Sequence, residues 1–326
     1  MDALPLLAIP NGTKSIVVFD TNAYRYLCFG LSLTDARARA VRLRELERAA
    51  GAAALASPIV IWELLAHLAD PSDPAYSHCL TALTALGEHT LEPSGGGICM
   101  ALDSEWVVCH TLFDKEPPGA SANVSNLAAL ANHVRDHAPM ITDTAALSNI
   151  KVFAAEMTRR EASWLADIQT SLNELDSAAS SQPGKTKKDA QRELRAQLAS
   201  PAFEELWALV TVAHFAQLVG VLLNEQELAS RAAFFKDHFS VPFHLILTLL
   251  QSLMGQSGLN LTSAKRKRGN FMWDAGICYM MPTAAAAGIT MEMVTGDQAI
   301  VAAAMAAQTA NAVVRLEDYL QRIGLP

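Results

Sequence analysis

The chain has no CxxC pair, no excess of basic residues and no apolar run long enough to cross a membrane, and each absence removes a class of function. Its five cysteines (Cys28, Cys79, Cys99, Cys109 and Cys278) are scattered and odd in number, which excludes a disulfide frame and suits buried thiols in a reducing, cytoplasmic compartment. Charged residues make up only 18% of the chain and the formal net charge is −8, so no overall basic field draws it to nucleic acid or to anionic lipid. Any contact with a polyanion has to be local. The longest apolar stretch, Leu206 to Leu223, falls short of the ~20 residues a spanning helix needs and includes His214 and Gln217, so it reads as a buried helix. The start, MDALPLLAIPNG, lacks a basic n-region and its apolar run is short, so export is not expected. Gly184-Lys185-Thr186 has neither the upstream glycine nor the strand of a phosphate loop, and no internal repeat has a fixed period.

What is present, at 326 residues and 51% hydrophobic, is ample material for a core. Residues 15–20 (SIVVFD) form a short β-branched run bounded by polar residues, the sign of a strand buried on both faces. Thr34 and Asp35 offer an N-cap for a helix from Ala36 to Ala50, which Gly51 stops. Ala54 to Ile61 reads as a second strand interrupted by Ser57-Pro58, with a helix taking over at Trp62-Glu63. Strand, helix, strand, helix is the opening of an α/β fold.

From about Pro71 to Gly269 strand signals almost vanish. Val124–Leu175, Thr186–Leu198, Pro201–Phe235 and Val241–Met254 read as helical, with breaks at residues 92–97, at 116–119 and in a polar linker at 177–188. The α/β pattern then returns: a helix from Phe271 to about Ala287, a strand at Thr290–Thr295, a turn at Gly296-Asp297, a helix from Gln298 to Gln308, and a last strand at Ala312–Leu316. Each α/β part is too small to bury a core alone, so residues 13–70 and 268–322 are expected to share one sheet, with residues 71–267 as a helical insertion.

In an open parallel sheet the ligand site lies beyond the carboxyl ends of the strands, where strand order reverses. Asp20 ends the first strand and Asp297 follows the strand EMVT by one glycine; Glu63 opens the helix after the second strand, and Asp274 lies near the start of the helix after Gly269. Each alone is an ordinary helix cap or solvated acid. Gathered at one end of a sheet, four carboxylates repel one another, and one or two hard divalent cations, Mg²⁺ or Mn²⁺, would relieve the repulsion while leaving room for phosphate oxygens and water.

The four local sequences, IVVFDTNAYRYL, SPIVIWELL, NFMWDAGICYMM and ITMEMVTGDQAI, resemble in order and context the PIN-like nucleases, which include the ribonuclease toxins of bacterial toxin–antitoxin pairs. The resemblance implies a three-layer α/β/α sandwich with a central parallel sheet. It also implies metal-binding, catalytic roles for Asp20, Glu63, Asp274 and Asp297, with Asn22 and Thr295 orienting them or a bound water. The implied reaction is endonucleolytic hydrolysis of phosphodiester bonds, in RNA before DNA, leaving 5′-phosphate and 3′-hydroxyl ends. The family joins its second and third acids by a few short helices, whereas residues 71–267 intervene here, so a toxin's substrate and antitoxin do not carry over with the site. A structure-specific DNA nuclease and a non-catalytic module binding RNA or protein are the alternatives; a regulatory protein and self-assembly are open partners.

Two basic clusters could supply the missing local field. Lys265-Arg266-Lys267-Arg268 is expected in a loop before Asp274, where it could grip a nucleic-acid backbone. Arg37, Arg39, Arg42, Arg44 and Arg48 line the first long helix, where solvated arginines are equally ordinary. His133 and His137, four apart around Asp136, lack a third ligand, as do Cys109-His110 and His78-Cys79, so no zinc site is expected. Trp106, Trp164, Trp207 and Trp273 lie in apolar surroundings and read as core.

Overall fold

A computed structural model describes residues 12–139, 141, 143–180, 186–254, 265–281, 289–309 and 312–325. In chain order the elements are β1 (Ser15–Phe19), α1 (Thr21–Leu27), α2 (Leu33–Ala49), β2 (Ala52–Ala54), α3 (Pro58–Ala66), α4 (Tyr76–His89), α5 (Ser104–Phe113), α6 (Ala120–His137), α7 (Thr144–Ser180), α8 (Lys187–Leu198) and α9 (Pro201–Leu218). They continue with α10 (Glu225–His238), α11 (Ser240–Met254), α12 (Lys265–Cys278), β3 (Thr290–Thr295), α13 (Gln298–Ala306), β4 (Val313–Arg315) and α14 (Leu316–Ile323). The expected polar linker at 177–188 gives way to α7 as far as Ser180 and to α8 from Lys187; its residues 181–185, and 282–287 of the expected helix after Phe271, lie outside the described residues.

The α/β expectation holds at this level: the four strands form one all-parallel sheet of order β2-β1-β3-β4. Strands more than two hundred residues apart in sequence are neighbours, with Ser15 to Phe19 paired in register to Thr290 to Val294. Ile16, Val17, Val18 and Phe19 are all buried, so β1 is covered on both faces, as its unbroken β-branched run requires and as an α/β/α layout needs. The chain leaves β1 towards β2 on one side and returns as β3 on the other. The point of reversal therefore lies at the tips of β1 and β3.

Several local expectations need correction. Ser57-Pro58 ends the strand rather than interrupting it: β2 stops at Ala54 and α3 begins at Pro58, whose fixed φ suits the first helical position. The run PIVIW reads as a strand because α3 is buried almost all round, and short apolar runs have no telling period. Glu63 consequently sits in the second turn of α3. Ser32, not Thr34 or Asp35, caps α2, its hydroxyl accepting the Asp35 N–H. The stretch read as one helix from Val124 divides into α6 and α7 around Pro139, and the one from Pro201 divides into α9 and α10 at Gly220 and an Asn224–Glu227 capping box. Lys265 to Arg268 form the first turn of α12 instead of a loop, which puts Asp274 in the later half of its helix. The helix read as buried at Leu206–Leu223 is α9, which ends at Leu218 and leaves Leu206 and Val210 exposed; among the described residues no helix is long and apolar enough to cross a membrane.

The main core joins the sheet to residues of the intervening segment, among them Cys79, Leu83, Leu130, Val134, Ile150 and Val241. A second, aromatic-rich core (Trp106, Phe215, Phe235, Phe239, Phe243 and Tyr279) is built from α5, α9, α10, α11 and the turn after α12. Two arginines of α2 face inwards, Arg37 donating to the Arg135 carbonyl and Arg44 to that of Glu88; Arg48, exposed, reaches the Leu91 carbonyl at 2.6 Å, and Arg42 is exposed beside Glu45. Arg37 and Arg44 thereby satisfy last-turn carbonyls of α6 and α4 that their helices leave orphaned. They are helix clamps, not a free phosphate-binding face.

Beneath β1 lies a buried polar chain absent from the sequence reading. The Tyr319 hydroxyl donates to Glu47 at 2.6 Å, the other Glu47 oxygen meets His89 Nε2 at 2.7 Å, and His89 Nδ1 meets the Tyr24 hydroxyl at 2.9 Å. These four side chains tie α14, α2, α4 and α1 together around the Phe19 ring.

Candidate functional site

Asp20 is the first residue past β1. Its Oδ1 caps α1 by accepting the Ala23 N–H at 2.5 Å, and its Oδ2 accepts the hydroxyl of Thr295, the last residue of β3. The parallel register makes this contact, since Phe19 faces Val294 and the next residues come level. The Thr295 hydroxyl also accepts the Asp297 N–H at 2.8 Å, and Asp297 Oδ1 caps α13 through Ala299 N–H at 2.6 Å. One threonine thus meets the Asp20 carboxylate and the Asp297 backbone N–H.

Glu63 reaches the same place from α3, where its carboxylate accepts the Thr21 hydroxyl. Asp274 comes from α12, which crosses α3 closely at Gly276: a Cβ there would stand 2.7 Å from Ile59 Cδ1. Asp20, Asn22, Glu63, Asp274 and Asp297 line one cavity of about 730 Å³. All five therefore converge on one space, although they come from positions spread over most of the chain. The backbone of Lys265–Arg268 lies in the same helix as Asp274, about two turns upstream.

Three residues of this cavity were not anticipated. Glu161, on α7, accepts the Trp273 indole N–H at 2.7 Å. Arg25, on α1, brings positive charge near Glu63. Trp273, part of the main core as expected, also lines the cavity, its ring 5.4 Å from that of Trp62. No sequence signal marks Glu161, because its partner is 112 residues away. The other expectations of structural roles stand: His133 and His137 stack at 4.2 Å, and all five cysteines are buried.

Electrostatics set these acids apart. Burial pushes Asp20 up to about 6, against hydrogen bonds from Thr295, Ala23 and Gly296 that pull it down, while Asp297 adds repulsion. Enclosure pushes Glu63 up to about 7, with Asp20 and Glu161 reinforcing the rise and Thr21 and Arg25 opposing it; the residue is half-buried and lines the cavity. Asp274 rises to about 8, from burial first and then from Glu63, Asp297 and Asp20. Such a set is short of positive charge. Among the described residues no three His, Cys, Asp or Glu side chains converge closely enough to grip one ion as they stand. The donor chemistry nevertheless fits a hard divalent cation: several carboxylates share one solvent-reaching cavity, and three of them are driven towards protonation, by burial first and by one another second.

A pH dependence follows. The unfolded chain ionises these acids near 3.8 and 4.5, the folded chain only at about 6 to 8, so the fold holds extra protons in that window and loses stability as pH rises through it. In EDTA the melting temperature of the wild type is expected to fall relative to that of Asp274→Asn as pH is raised from about 5 to about 8. Parallel melting curves for the two proteins would refute the raised values.

Comparison with protein-family models, with curated proteins and with solved structures finds no match to this chain. The functional reading therefore rests on the residues and their geometry.

Proposed function

We propose that the chain is a PIN-like, Mg²⁺- or Mn²⁺-dependent endonuclease with a three-layer α/β/α core, hydrolysing phosphodiester bonds in RNA in preference to DNA. One observation carries the reading: acids from the tips of β1 and β3 and from α3 and α12 line a single cavity at the point where strand order reverses. Asp20, Glu63, Asp274 and Asp297 would hold the ion. A bound Mg²⁺ or Mn²⁺ supplies Lewis-acid chemistry, lowering the pKa of water and offsetting charge on the phosphate.

The chain's own residues do the rest. Thr295 and Thr21 fix the directions of the Asp20 and Glu63 carboxylates, and Arg25 offers the cavity a cation for a phosphate oxygen. With the ion bound these acids would be ionised ligands, and the proton of the attacking water would leave through the solvent-reaching cavity. The water oxygen bonds to phosphorus, the bond from phosphorus to the 3′ oxygen breaks, and the departing oxygen takes a proton from solvent, leaving 5′-phosphate and 3′-hydroxyl ends.

A panel of labelled tRNA, single-stranded RNA, single-stranded DNA and flap DNA, incubated with Mg²⁺, with Mn²⁺ and with EDTA, is expected to show metal-dependent cutting, RNA first. Preference for flap DNA would move the chain to the structure-specific DNA nucleases. A non-catalytic module has one observation in its favour, the absence of a converged three-acid cluster among the described residues. That reading requires every substrate to survive in both metals.

A further inference from the structure

Exposed aromatic rings are few among the described residues, and two of them lie one turn apart beside the carboxylate cavity. Tyr26 is 60% exposed and Phe29 is 73% exposed, in a chain whose aromatic content is only 6%. Burial is the default for such side chains, so exposure in a pair is the informative case. The inward face of α1 carries Ala23, Tyr24 and Leu27. Its other face runs Asn22, Arg25, Tyr26 and on to Phe29. The first two of these line the cavity, and the rings continue the same face away from it.

Each ring has a neighbour on one side and solvent on the other. Tyr26 leans over the backbone of Gly296, in the loop that links Thr295 to Asp297; a Cβ on Gly296 would stand 2.7 Å from Tyr26 Cε2, so only glycine allows this approach. Phe29 is fixed to the preceding turn by its N–H donating to the Tyr26 carbonyl at 3.1 Å, and its ring lies 6.2 Å from that of His78. His78 in turn meets the Arg25 carbonyl at 2.8 Å, which ties the neighbouring helix α4 to the same face.

We propose that Tyr26 and Phe29 form a stacking platform for unpaired bases, so that the ligand of this face is a single-stranded nucleic acid whose backbone passes over the carboxylate cavity. The inference rests on the phosphodiesterase reading and names its substrate as unpaired strand rather than duplex. Its support is continuity: a face that starts with an amide and a guanidinium in the cavity and ends in two open rings provides backbone and base contacts in sequence. Arginine beside aromatic rings is the combination by which proteins hold single strands without reading their sequence. Duplex bases are stacked on one another and offer no free face to such a platform.

The test is binding of a fluorescently labelled oligouridylate, of the matching oligothymidylate and of a duplex, by anisotropy at low salt in EDTA, where cleavage does not intervene. Tyr26→Ala and Phe29→Ala are each expected to weaken single-strand binding on the order of tenfold, with Tyr26→Phe near the wild type and duplex binding weak throughout. Both positions are exposed, and matched melting curves establish that the variants fold. Alanine variants that bind the single strand as well as the wild type would overturn the proposal and leave the rings to a protein partner. So would a wild type that prefers duplex or binds no single strand. Because the readout is binding, intact binding with no cleavage would sink the hydrolase reading alone, and cleavage with unaltered alanine variants would sink the platform alone.

Discussion

Asp20→Asn is expected to lower metal-dependent cleavage by more than about 100-fold while leaving the fold intact. Loss of a group that merely supports a metal ligand costs about 10- to 100-fold, so loss of a ligand charge at the centre of the cluster should cost more. Asp20 is that centre: it caps α1, accepts the Thr295 hydroxyl and adds repulsion at both Glu63 and Asp274. Asparagine is as good an N-cap as aspartate, but its single oxygen serves either the Ala23 N–H or the Thr295 hydroxyl, so the substitution removes the charge and one hydrogen bond. Single-turnover cleavage with Mn²⁺ reads the loss, and circular dichroism with a melting curve checks the fold. A variant that cuts within a few-fold of the wild type would remove Asp20 from the machinery.

The second large effect concerns stability. His89→Ala is expected to cost about 3–5 kcal/mol, because it leaves the Glu47 carboxylate facing an apolar hole with one of its two partners gone. Glu47 and His89 are 1% exposed each, so water cannot replace the lost bond, and the Tyr24 hydroxyl on the far side loses its partner as well. The chain of hydrogen bonds joins elements 272 residues apart in sequence, Glu47 of α2 and Tyr319 of α14, and α1 hangs from its other end. Denaturant unfolding measures the cost. A loss below about 1 kcal/mol, the worth of one ordinary net hydrogen bond, would show that the chain is not a structural clamp.

The legibility of the fold varied with the reach of the interactions behind it. β1 was plain in SIVVF because a strand covered on both faces needs an unbroken run of β-branched and apolar residues; β3, buried only over Met293 to Thr295, was plain from the Gly296 turn that ends it, and the acids just past both strands came with them. Glu63 was found although its helix was misread, since an apolar run with no polar face carries no period that separates helix from strand. Arg37 and Arg44 of α2 looked outward because their partners are carbonyls of α6 and α4, invisible in a local pattern. Glu161 and the chain from Tyr24 to Tyr319 had no signal at all. Each is defined by neighbours brought in from distant segments, and nothing in the surrounding residues differs from an ordinary helix.

The central claim is that acids remote in sequence form one divalent-cation site, and calorimetric titration of the whole chain with Mn²⁺ near pH 7, in buffers of different ionisation heat, tests it most directly. Because Glu63 and Asp274 stand at about 7 and about 8 without a cation, binding is expected to release protons as well as heat. Asp274→Asn is expected to lose most of both. No binding by the wild type, or equal affinity and proton release in Asp274→Asn, would contradict the site.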